Sequence, residues 1–205
     1  MPIKVLHSAD RRLDALANKC VYSSALKFGK GTELFRERGE AEYAYQVICG
    51  AVRTYRLLSD GRRQINSFHL VGDIFGLENG ATHRFTADAI VDTEVRVIRR
   101  RSLLDAMTNE DGGVNNLLGL ITLNLVHAEN HMVLLGRKNA FEKVATFLLE
   151  MDQRQAQPDK IHLPMSRRDI ADYLGLKLET VSRALSKMRD ERMLRIDGVR
   201  AGNSS

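Results

Sequence analysis

The stretch from Ser166 to Met188 constrains the fold more than any other, because its pattern predicts two short helices joined by a sharp turn. Ser166 is placed to be the N-cap of the first helix, and Asp169 occupies the capping-box position three residues later. Gly175 interrupts the pattern where a left-handed residue can end a helix. The residues at the spacing of a buried helical stripe are Ile170, Ala171 and Leu174, followed in the second helix by Val181 and Leu185. This is the pattern of a helix-turn-helix motif.

The second helix of this motif carries side chains that suit the edges of DNA bases. In a helix-turn-helix protein this helix enters the major groove with its N-terminal end first. Glu179, Ser182 and Arg183 lie at i, i+3 and i+4, so they share one face that offers a carboxylate, a hydroxyl and a guanidinium. The residues that we predict to contact DNA are Ser166, Arg167, Arg168, Lys177, Glu179, Thr180, Ser182, Arg183 and Lys187. An ordinary helix hairpin with a solvated Glu–Arg pair is the alternative that these residues leave open.

Composition and length bound the class of protein. The chain has 205 residues, of which 43% are hydrophobic and 28% charged, as in a soluble globular protein. No run of about 18 apolar residues predicts a membrane span, and residues 1–14 lack the apolar core of a signal peptide. Two cysteines cannot make a disulfide framework, which favours a reducing compartment. We therefore expect a cytoplasmic protein with no membrane partner.

The net charge of +5 is unevenly distributed along the chain. Residues 137–205 hold 14 Lys and Arg against 10 Asp and Glu, a surplus of four positive charges. A basic segment that carries a helix-turn-helix pattern favours contact with DNA phosphates. Charge alone is weak support, since charged faces are usually only solvated.

Residues from about 26 to 97 predict many short strands. Alternating runs are separated by turn signals such as Asp60-Gly61 and Gly72-Asp73. Glycine recurs about every ten residues, at positions 29, 31, 39, 50, 61, 72, 76 and 80. This spacing is typical of an all-β barrel or roll.

A long helix is predicted after about residue 102. Its apolar positions alternate in steps of four and three, a heptad seam of about 22 residues and about 33 Å. The seam consists of Val114, Leu118, Ile121, Leu125, Ala128, Met132 and Leu135. A second apolar side, which we expect to face the β domain, consists of Leu117, Leu120, Leu123 and Leu134. Two apolar sides favour a homodimer through the seam; a helix buried within one domain is the alternative.

Few residues suggest other chemistry. His127 and His131 have the i, i+4 spacing of a metal pair. No further ligand shares their face, so we interpret them as polar positions on a dimer helix. Cys49, beside Gly50 at a strand end, is interpreted as a small buried side chain rather than a redox switch. No catalytic-triad, Walker or zinc-protease spacing occurs, so we expect neither an enzyme nor a cofactor or metal site.

The whole chain resembles the CRP/FNR superfamily of bacterial transcription regulators, and its FixK-type group most of all. The resemblance is carried by EAEYAYQVICGAVRTYRLLSDGRRQI (40–65), GDIFGLE (72–78), HMVLLGRKNAFEKVATFLL (131–149) and LPMSRRDIADYLGLKLETVSRALSKM (163–188). It implies an α+β architecture in three parts. These are an N-terminal cyclic-nucleotide-binding-like β-roll at 1–108, a dimerisation helix at 109–137, and a DNA-binding winged helix-turn-helix domain at 138–205.

The resemblance also implies how DNA is read. Glu179, Ser182 and Arg183 match the Glu-x-x-Ser-Arg signature of FNR-type recognition helices, which implies an inverted repeat of TTGA half-sites (TTGA-N6-TCAA). Leu178 stands where CRP itself carries an arginine, which favours FNR-type reading and adds Leu178 to the DNA-contacting residues. The family further implies a homodimer on palindromic double-stranded DNA, with RNA polymerase as another partner.

Departures from the family concern the sensor. FNR holds a [4Fe–4S] cluster with four cysteines, whereas this chain has two, so iron–sulfur sensing of that form is excluded. The cyclic-nucleotide binders hold their ligand with a Gly-Glu pair and a later arginine. Here Gly76 precedes Leu77, and His83 stands at the arginine position with Arg84 one residue off. We therefore expect that the β-roll has lost nucleotide binding.

These features predict a homodimeric activator whose activity is set by its own abundance. FixK-type proteins act in this way below an oxygen-responsive two-component system, in microaerobic respiration, nitrogen fixation or denitrification. The alternative is a regulator of the same fold that is gated by an unidentified ligand in the β-roll or by redox chemistry at Cys20 or Cys49. The wing after the recognition helix is predicted to be truncated, because residues 199–205 contain no apolar returning strand.

Overall fold

The computed structural model describes residues 23–78, 80–109, 113–155 and 160–195. Within these residues, strands come first and helices follow, which confirms the predicted change of period. The strands are β1 Ser23–Phe28, β2 Glu33–Phe35, β3 Tyr43–Cys49, β4 Val52–Leu57, β5 Arg63–His69, β6 Ile74–Phe75, β7 Thr86–Ala89 and β8 Thr93–Arg99. The helices are α1 Arg100–Asn109, α2 Gly113–Arg137, α3 Ala140–Gln155, α4 Arg167–Leu174 and α5 Leu178–Asp190.

The strands form two antiparallel four-stranded sheets, ordered β1-β8-β3-β6 and β2-β7-β4-β5. Their inner faces share one apolar cluster, so the sheets pack face to face as a β-roll. The buried members of this cluster are Phe35, Tyr45, Val47, Val52, Phe75, Ala87, Val95 and Val97. Members alternate along β3 and β8, at Tyr45 and Val47 and at Val95 and Val97, because successive side chains of a strand point to opposite faces.

Two of the glycine turns show why the chain needs this residue. Gly61 lies in the turn between β4 and β5 with φ +82°, as the Asp-Gly signal predicts. Gly50 turns the chain between β3 and β4 with φ +88°. A Cβ atom at Gly50 would lie 2.5 Å from Thr93 Oγ1 and 2.6 Å from the carbonyl oxygen of Asp92. Both the positive φ and these short distances therefore disfavour any residue that has a Cβ atom at this position.

A second apolar core joins the β-roll to the helices. Phe68 on β5, Phe147 on α3 and Tyr173 on α4 pack together with ring centroids 5.2–6.0 Å apart. The same cluster includes Ala51 and Ile65 of the β-roll and buried residues of each later helix from α2 onward. The β-roll and the helix-turn-helix therefore share one continuous interior in this conformation.

Candidate nucleic-acid interface

Helix α4 begins and ends as the sequence predicts. Ser166 has extended backbone angles (φ −75°, ψ 161°), and its Oγ accepts a hydrogen bond from the Asp169 amide at 3.1 Å. In return, Asp169 Oδ2 accepts from the Ser166 amide at 3.0 Å, which completes the capping box. Gly175 follows the helix in the left-handed conformation (φ +62°, ψ 37°). The turn then directs the chain into α5.

Helix α5 has one buried side and one exposed side. Val181, Ala184, Leu185 and Met188 are buried, and they attach α5 to α3 and α4. Ile170, Ala171 and Leu174 of α4 are buried as well, so the predicted inward positions of the motif are confirmed. The opposite side of α5 faces solvent, which is the arrangement that a groove-reading helix requires.

Most of the predicted DNA-contacting residues are exposed on the helix-turn-helix. Those that are exposed are Ser166, Arg167, Arg168, Lys177, Glu179, Arg183 and Lys187, and those that are partly buried are Leu178, Thr180 and Ser182. The hydroxyl of Ser166 is engaged in the cap of α4. Lys187 Nζ lies 3.7 Å from Glu191 Oε1 and 5.1 Å from the centroid of the Phe141 ring.

Three residues of an open groove along α5 are not among the predicted DNA-contacting residues. Ser186, Asp190 and Glu191 line it together with Ser182, Arg183 and Lys187. The position of Ser186 follows from the helical period, since it lies four residues after Ser182 and three after Arg183. The prediction included few residues of the C-terminal half of α5 because the N-terminal half of a recognition helix contacts the bases.

The predicted seam of α2 is exposed wherever its side chains are described, except at its C-terminal end. Leu118, Leu125 and Met132 are 56%, 57% and 65% exposed, and Ala128 is exposed too. Leu135 is partly buried beside Gly175 of the helix-turn-helix. The side chains of Val114 and Ile121 lie outside the described residues, as do those of Leu117, Leu120 and Leu123 on the second side. Leu134, the remaining member of that side, is buried in the core shared with the β-roll.

The two histidines of α2 face the protein's own interior rather than the seam. His127 Nδ1 lies 3.6 Å from Glu150 Oε1 of α3, and the His131 ring stacks on Tyr173 of α4 with centroids 4.2 Å apart. Burial, with help from the charges of His127 and Lys143, lowers the pKa of His131 to about 4. Across the described ranges, no three His, Cys, Asp or Glu residues are grouped so as to hold a metal ion.

Comparisons with known proteins decide the family. The profile of the cyclic nucleotide-binding domain matches residues 25–110, and that of the Crp-like helix-turn-helix domain matches residues 142–201. The chain is 41% identical over 170 residues to the nitrogen fixation regulation protein FixK of Rhizobium meliloti, which covers 83% of this chain and 77% of that protein. The chain belongs to the CRP/FNR family of DNA-binding transcription regulators, as a FixK-type member.

Further relatives agree with this assignment. The structure of FixK2 from Bradyrhizobium japonicum superposes with a TM-score of 0.83 at 53% identity, over 88% of this chain and 91% of that chain. The fumarate and nitrate reduction regulatory protein of Vibrio cholerae is 32% identical over 82% of this chain and 70% of that protein. The predicted fold and family are confirmed, and the FixK-type chain is a regulator rather than an enzyme.

Side chains pack against one another at the β-roll positions where the sequence departs from the nucleotide-binding pattern. His83, at the position of the family's arginine, is 2% exposed and stacks on Phe35 with ring centroids 3.6 Å apart. Its Nδ1 lies 3.3 Å from Glu78, the carboxylate next to Leu77. Arg84 is exposed and lies over the Phe85 ring at 5.8 Å. The partly buried Glu78 carboxylate thus faces the buried His83 imidazole at this site.

One prediction about the FixK-type chain is wrong. Cys49 is exposed, not buried. The register of β3 against β8 shifts between Val47 and Cys49, which turns the end of β3 outward. Cys20 lies outside the described residues.

The sequence also predicts one wing strand at 193–196. The described part of it, residues 193–195, is not in a strand, and residues 196–205 lie outside the described residues. Among the helices that the structure describes, none combines the length and hydropathy that a membrane span requires.

Proposed function

We propose that the protein is a homodimeric activator that reads an inverted repeat of TTGA half-sites without a cyclic nucleotide or an iron–sulfur cluster. The observation that carries this proposal is the exposed side of α5. It presents Glu179 and Arg183 one turn apart, while the opposite side of the helix is fixed in the core. A guanidinium so placed is suited to a bidentate contact with guanine, and the carboxylate is suited to cytosine.

The exposed seam of α2 supports the dimer. Three large apolar side chains, Leu118, Leu125 and Met132, face solvent on one helix at heptad spacing. A helix that leaves such a stripe uncovered gains stability by packing against a second copy of itself. A symmetric dimer then matches the two-fold symmetry of an inverted repeat.

The interior of the β-roll supports activity without a nucleotide. Its aromatic rings and His83 pack against one another, and the nearest carboxylate, Glu78, is engaged with His83. Abundance of the protein would then set its activity.

The names of its relatives suggest the physiological role. Relatives are nitrogen fixation regulation proteins and fumarate and nitrate reduction regulatory proteins. We infer a role in microaerobic or nitrogen-fixation gene control, inside the cytoplasm and with RNA polymerase as a partner.

A second candidate is gating by redox chemistry at a cysteine, which the exposure of Cys49 favours. Oxidation of an exposed thiol places a polar or bulky group at the end of β3. A Cys49→Ser variant separates the candidates, because it removes any response of DNA binding to hydrogen peroxide if Cys49 is the sensor.

The deciding experiment is a gel-shift titration with a TTGAT-N4-ATCAA duplex and no added ligand. We expect a complex of one dimer per duplex, and weaker binding to a duplex in which the guanine of each half-site is exchanged. Equal affinity for both duplexes would contradict the proposed reading. A requirement for cyclic AMP, or micromolar binding of it by calorimetry, would contradict the proposed independence from nucleotide.

A further inference from the structure

The β-roll meets the helix-turn-helix through charged side chains as well as through the shared core. Arg53 lies on β4 and Arg63 on β5, whereas Asp169 and Asp172 lie one turn apart on α4. Arg53 Nη1 donates to Asp169 Oδ1 at 2.6 Å, and Arg63 Nη2 donates to the same oxygen at 2.5 Å. Arg63 also donates to Asp172 Oδ2 from Nε at 2.9 Å and from Nη2 at 2.7 Å. We call these four residues the clamp.

The centre of the clamp is Asp169, whose two carboxylate oxygens have different partners. Oδ2 completes the capping box of α4 with Ser166, while Oδ1 accepts from both arginines. The side chain is 5% exposed. Burial alone would raise the pKa of Asp169, but the hydrogen bonds from Ser166 and the charges of Arg53 and Arg63 hold it below its ordinary value. The Asp169 carboxylate therefore stays ionised. It caps its own helix through Oδ2 and binds the β-roll through Oδ1.

The arginines are themselves held in place on the β-roll. Arg53 Nη2 donates to Asp88 Oδ2 of β7 at 2.9 Å, and Asp88 is the cross-strand neighbour of Arg53. The Arg63 guanidinium lies over the Tyr55 ring at 5.6 Å. Their side chains are 16% and 20% exposed, so water competes little for these contacts.

The apolar core and the clamp have different effects on the interface. Apolar burial between Phe68 and Tyr173 attaches the domains but has no strong directional preference. The planar guanidinium of Arg63 makes several hydrogen bonds in a fixed fork, which restricts the angle between β5 and α4. Gln64 adds a contact to the carbonyl oxygen of Tyr173 at 3.4 Å.

The orientation that the clamp fixes leaves the reading side of the motif uncovered. Lys177, Glu179 and Arg183 are exposed on α5, and Arg167 and Arg168 are exposed on α4. The β-roll contacts α4 without covering these residues. The contacts of the clamp therefore leave the exposed side of the recognition helix uncovered.

We propose that Arg53 and Arg63 are positioning residues for DNA reading, which hold the helix-turn-helix at the angle that lets a dimer engage both half-sites at once. This inference rests on the proposed reading of an inverted repeat. Two recognition helices bind together only when their separation matches one turn of DNA. Without the clamp each helix still recognises its own bases, but the pair loses its fixed separation.

The test compares Arg63→Gln with Arg62→Gln, a matched control that loses the same charge one residue away. Arg62 pairs with Asp60 on the surface, and its side chain is 78% exposed. The duplexes are the inverted repeat with its six-base-pair spacer, the same repeat with five or seven base pairs, and the guanine-exchanged repeat. We expect Arg63→Gln to bind the six-base-pair repeat about tenfold more weakly, because simultaneous engagement is lost. Its preference for six over five or seven base pairs should shrink, while its preference for guanine stays unchanged.

Two further variants separate positioning from general damage. Arg63→Lys keeps the charge but not the fork, so we expect it to recover part of the spacing preference. Asp172→Asn in the Arg63→Gln background should add no further loss, because the two residues act through one contact. Equal behaviour of Arg63→Gln and Arg62→Gln on all duplexes would overturn the proposal. So would tighter DNA binding by Arg63→Gln, since that result would make the clamp an inhibitory contact.

If the unmodified protein bound none of these duplexes, that result would refute the proposed function but would not test the clamp. The clamp is therefore also tested by a distance measurement without DNA. Nitroxide labels at Leu57 on the β-roll and Glu191 after α5, with Cys20 and Cys49 replaced by serine, report the distance between the domains. Both positions are exposed. We expect the distance distribution to broaden in Arg63→Gln and not in Arg62→Gln. An unchanged distribution would refute the clamp.

Discussion

Arg183 and Lys187 lie one turn apart on the exposed side of α5, yet their surroundings differ. Arg183 lies in the N-terminal half of α5, the part of a recognition helix that contacts bases. Lys187 lies one turn further along, near Glu191 and the Phe141 ring. We therefore propose different tasks for these two cations, base recognition for Arg183 and phosphate contact for Lys187.

Replacing Arg183 by alanine should remove a bidentate contact with guanine in each half-site. We expect a loss of about 1–3 kcal/mol per half-site and a weaker distinction between matched and guanine-exchanged duplexes. Lys187→Ala should weaken binding to every duplex alike and lower the salt slope by about one per subunit. A salt series on both duplexes measures these effects. Equal losses of Arg183→Ala on both duplexes would assign Arg183 to phosphate instead.

Gly175 gives a residue-scale test of the turn. Because its φ is +62°, a Cβ at this position is strained although the nearest neighbouring atom, of Leu135, would be 3.9 Å away. We expect Gly175→Ala to lower the free energy of unfolding by about 1 kcal/mol. Gly136→Ala, in a helix with nothing nearby, should raise it by a similar amount. Thermal unfolding of both variants measures these changes. Changes of the same sign in the free energy of unfolding would contradict the assignment of the turn.

At the scale of elements, α2 is the helix with two environments. Leu134, His127 and His131 face the core or the helices α3 and α4, while Leu118 and Leu125 remain exposed. The helix is thus attached to its own chain along one side and uncovered along the other. This is the arrangement expected of a helix whose exposed apolar side packs against a second subunit.

Leu125→Glu should dissociate the dimer. The substitution places a carboxylate at both copies of the seam, and a buried unpaired charge costs several kcal/mol. Asn130→Glu adds the same charge to an exposed position of α2 outside the seam and should leave the dimer intact. Sedimentation at micromolar protein distinguishes the two. A persistent dimer in Leu125→Glu would remove the seam from the interface.

The elements differ in how far the sequence predicts them. The cap at Ser166 and the turn at Gly175 depend on local backbone chemistry, so the sequence is sufficient to place both. The clamp depends on Arg63 meeting Asp169 across 106 residues, and no local pattern contains that pairing. Cys49 was misplaced for a related reason, because a register shift between strands reverses which face a side chain takes.

At the scale of the whole molecule, β-roll and helices are joined near three histidines. Burial and the charges of Arg154 and His127 lower the pKa of His69 to about 3, and burial lowers that of His131 to about 4. Other titratable groups at this junction include Tyr173, Lys143, Glu150, Arg154 and Asp73. Neutral imidazoles are therefore part of the packing between domains.

Stability should fall as the solution is acidified. The folded pKa values lie below the ordinary 6.5, so the unfolded chain binds these protons first. The stabilisation from His69 and His131 is complete above about pH 6.5 and is lost as pH falls toward 4, by on the order of 1 kcal/mol per pH unit for each of these two. His131→Phe keeps the stack on Tyr173 and should flatten this slope in urea unfolding between about pH 7 and pH 5. His162→Gln, at an exposed position, should leave the slope unchanged. If His131→Phe also left the slope unchanged, His131 would not be a source of the pH dependence of stability.

The two-way bonding of Asp169 limits how this protein can be recombined. A chimera that joins its DNA-binding half to the β-roll of a different regulator would keep the α4 cap, but Asp169 Oδ1 would lose its two arginine donors. Unless the new β-roll supplies arginines at positions equivalent to 53 and 63, we expect the chimera to keep its base preference but to lose the fixed separation of its two recognition helices. On this proposal, transfer of the DNA-binding half to another protein depends on two strand residues that bind α4 through Asp169.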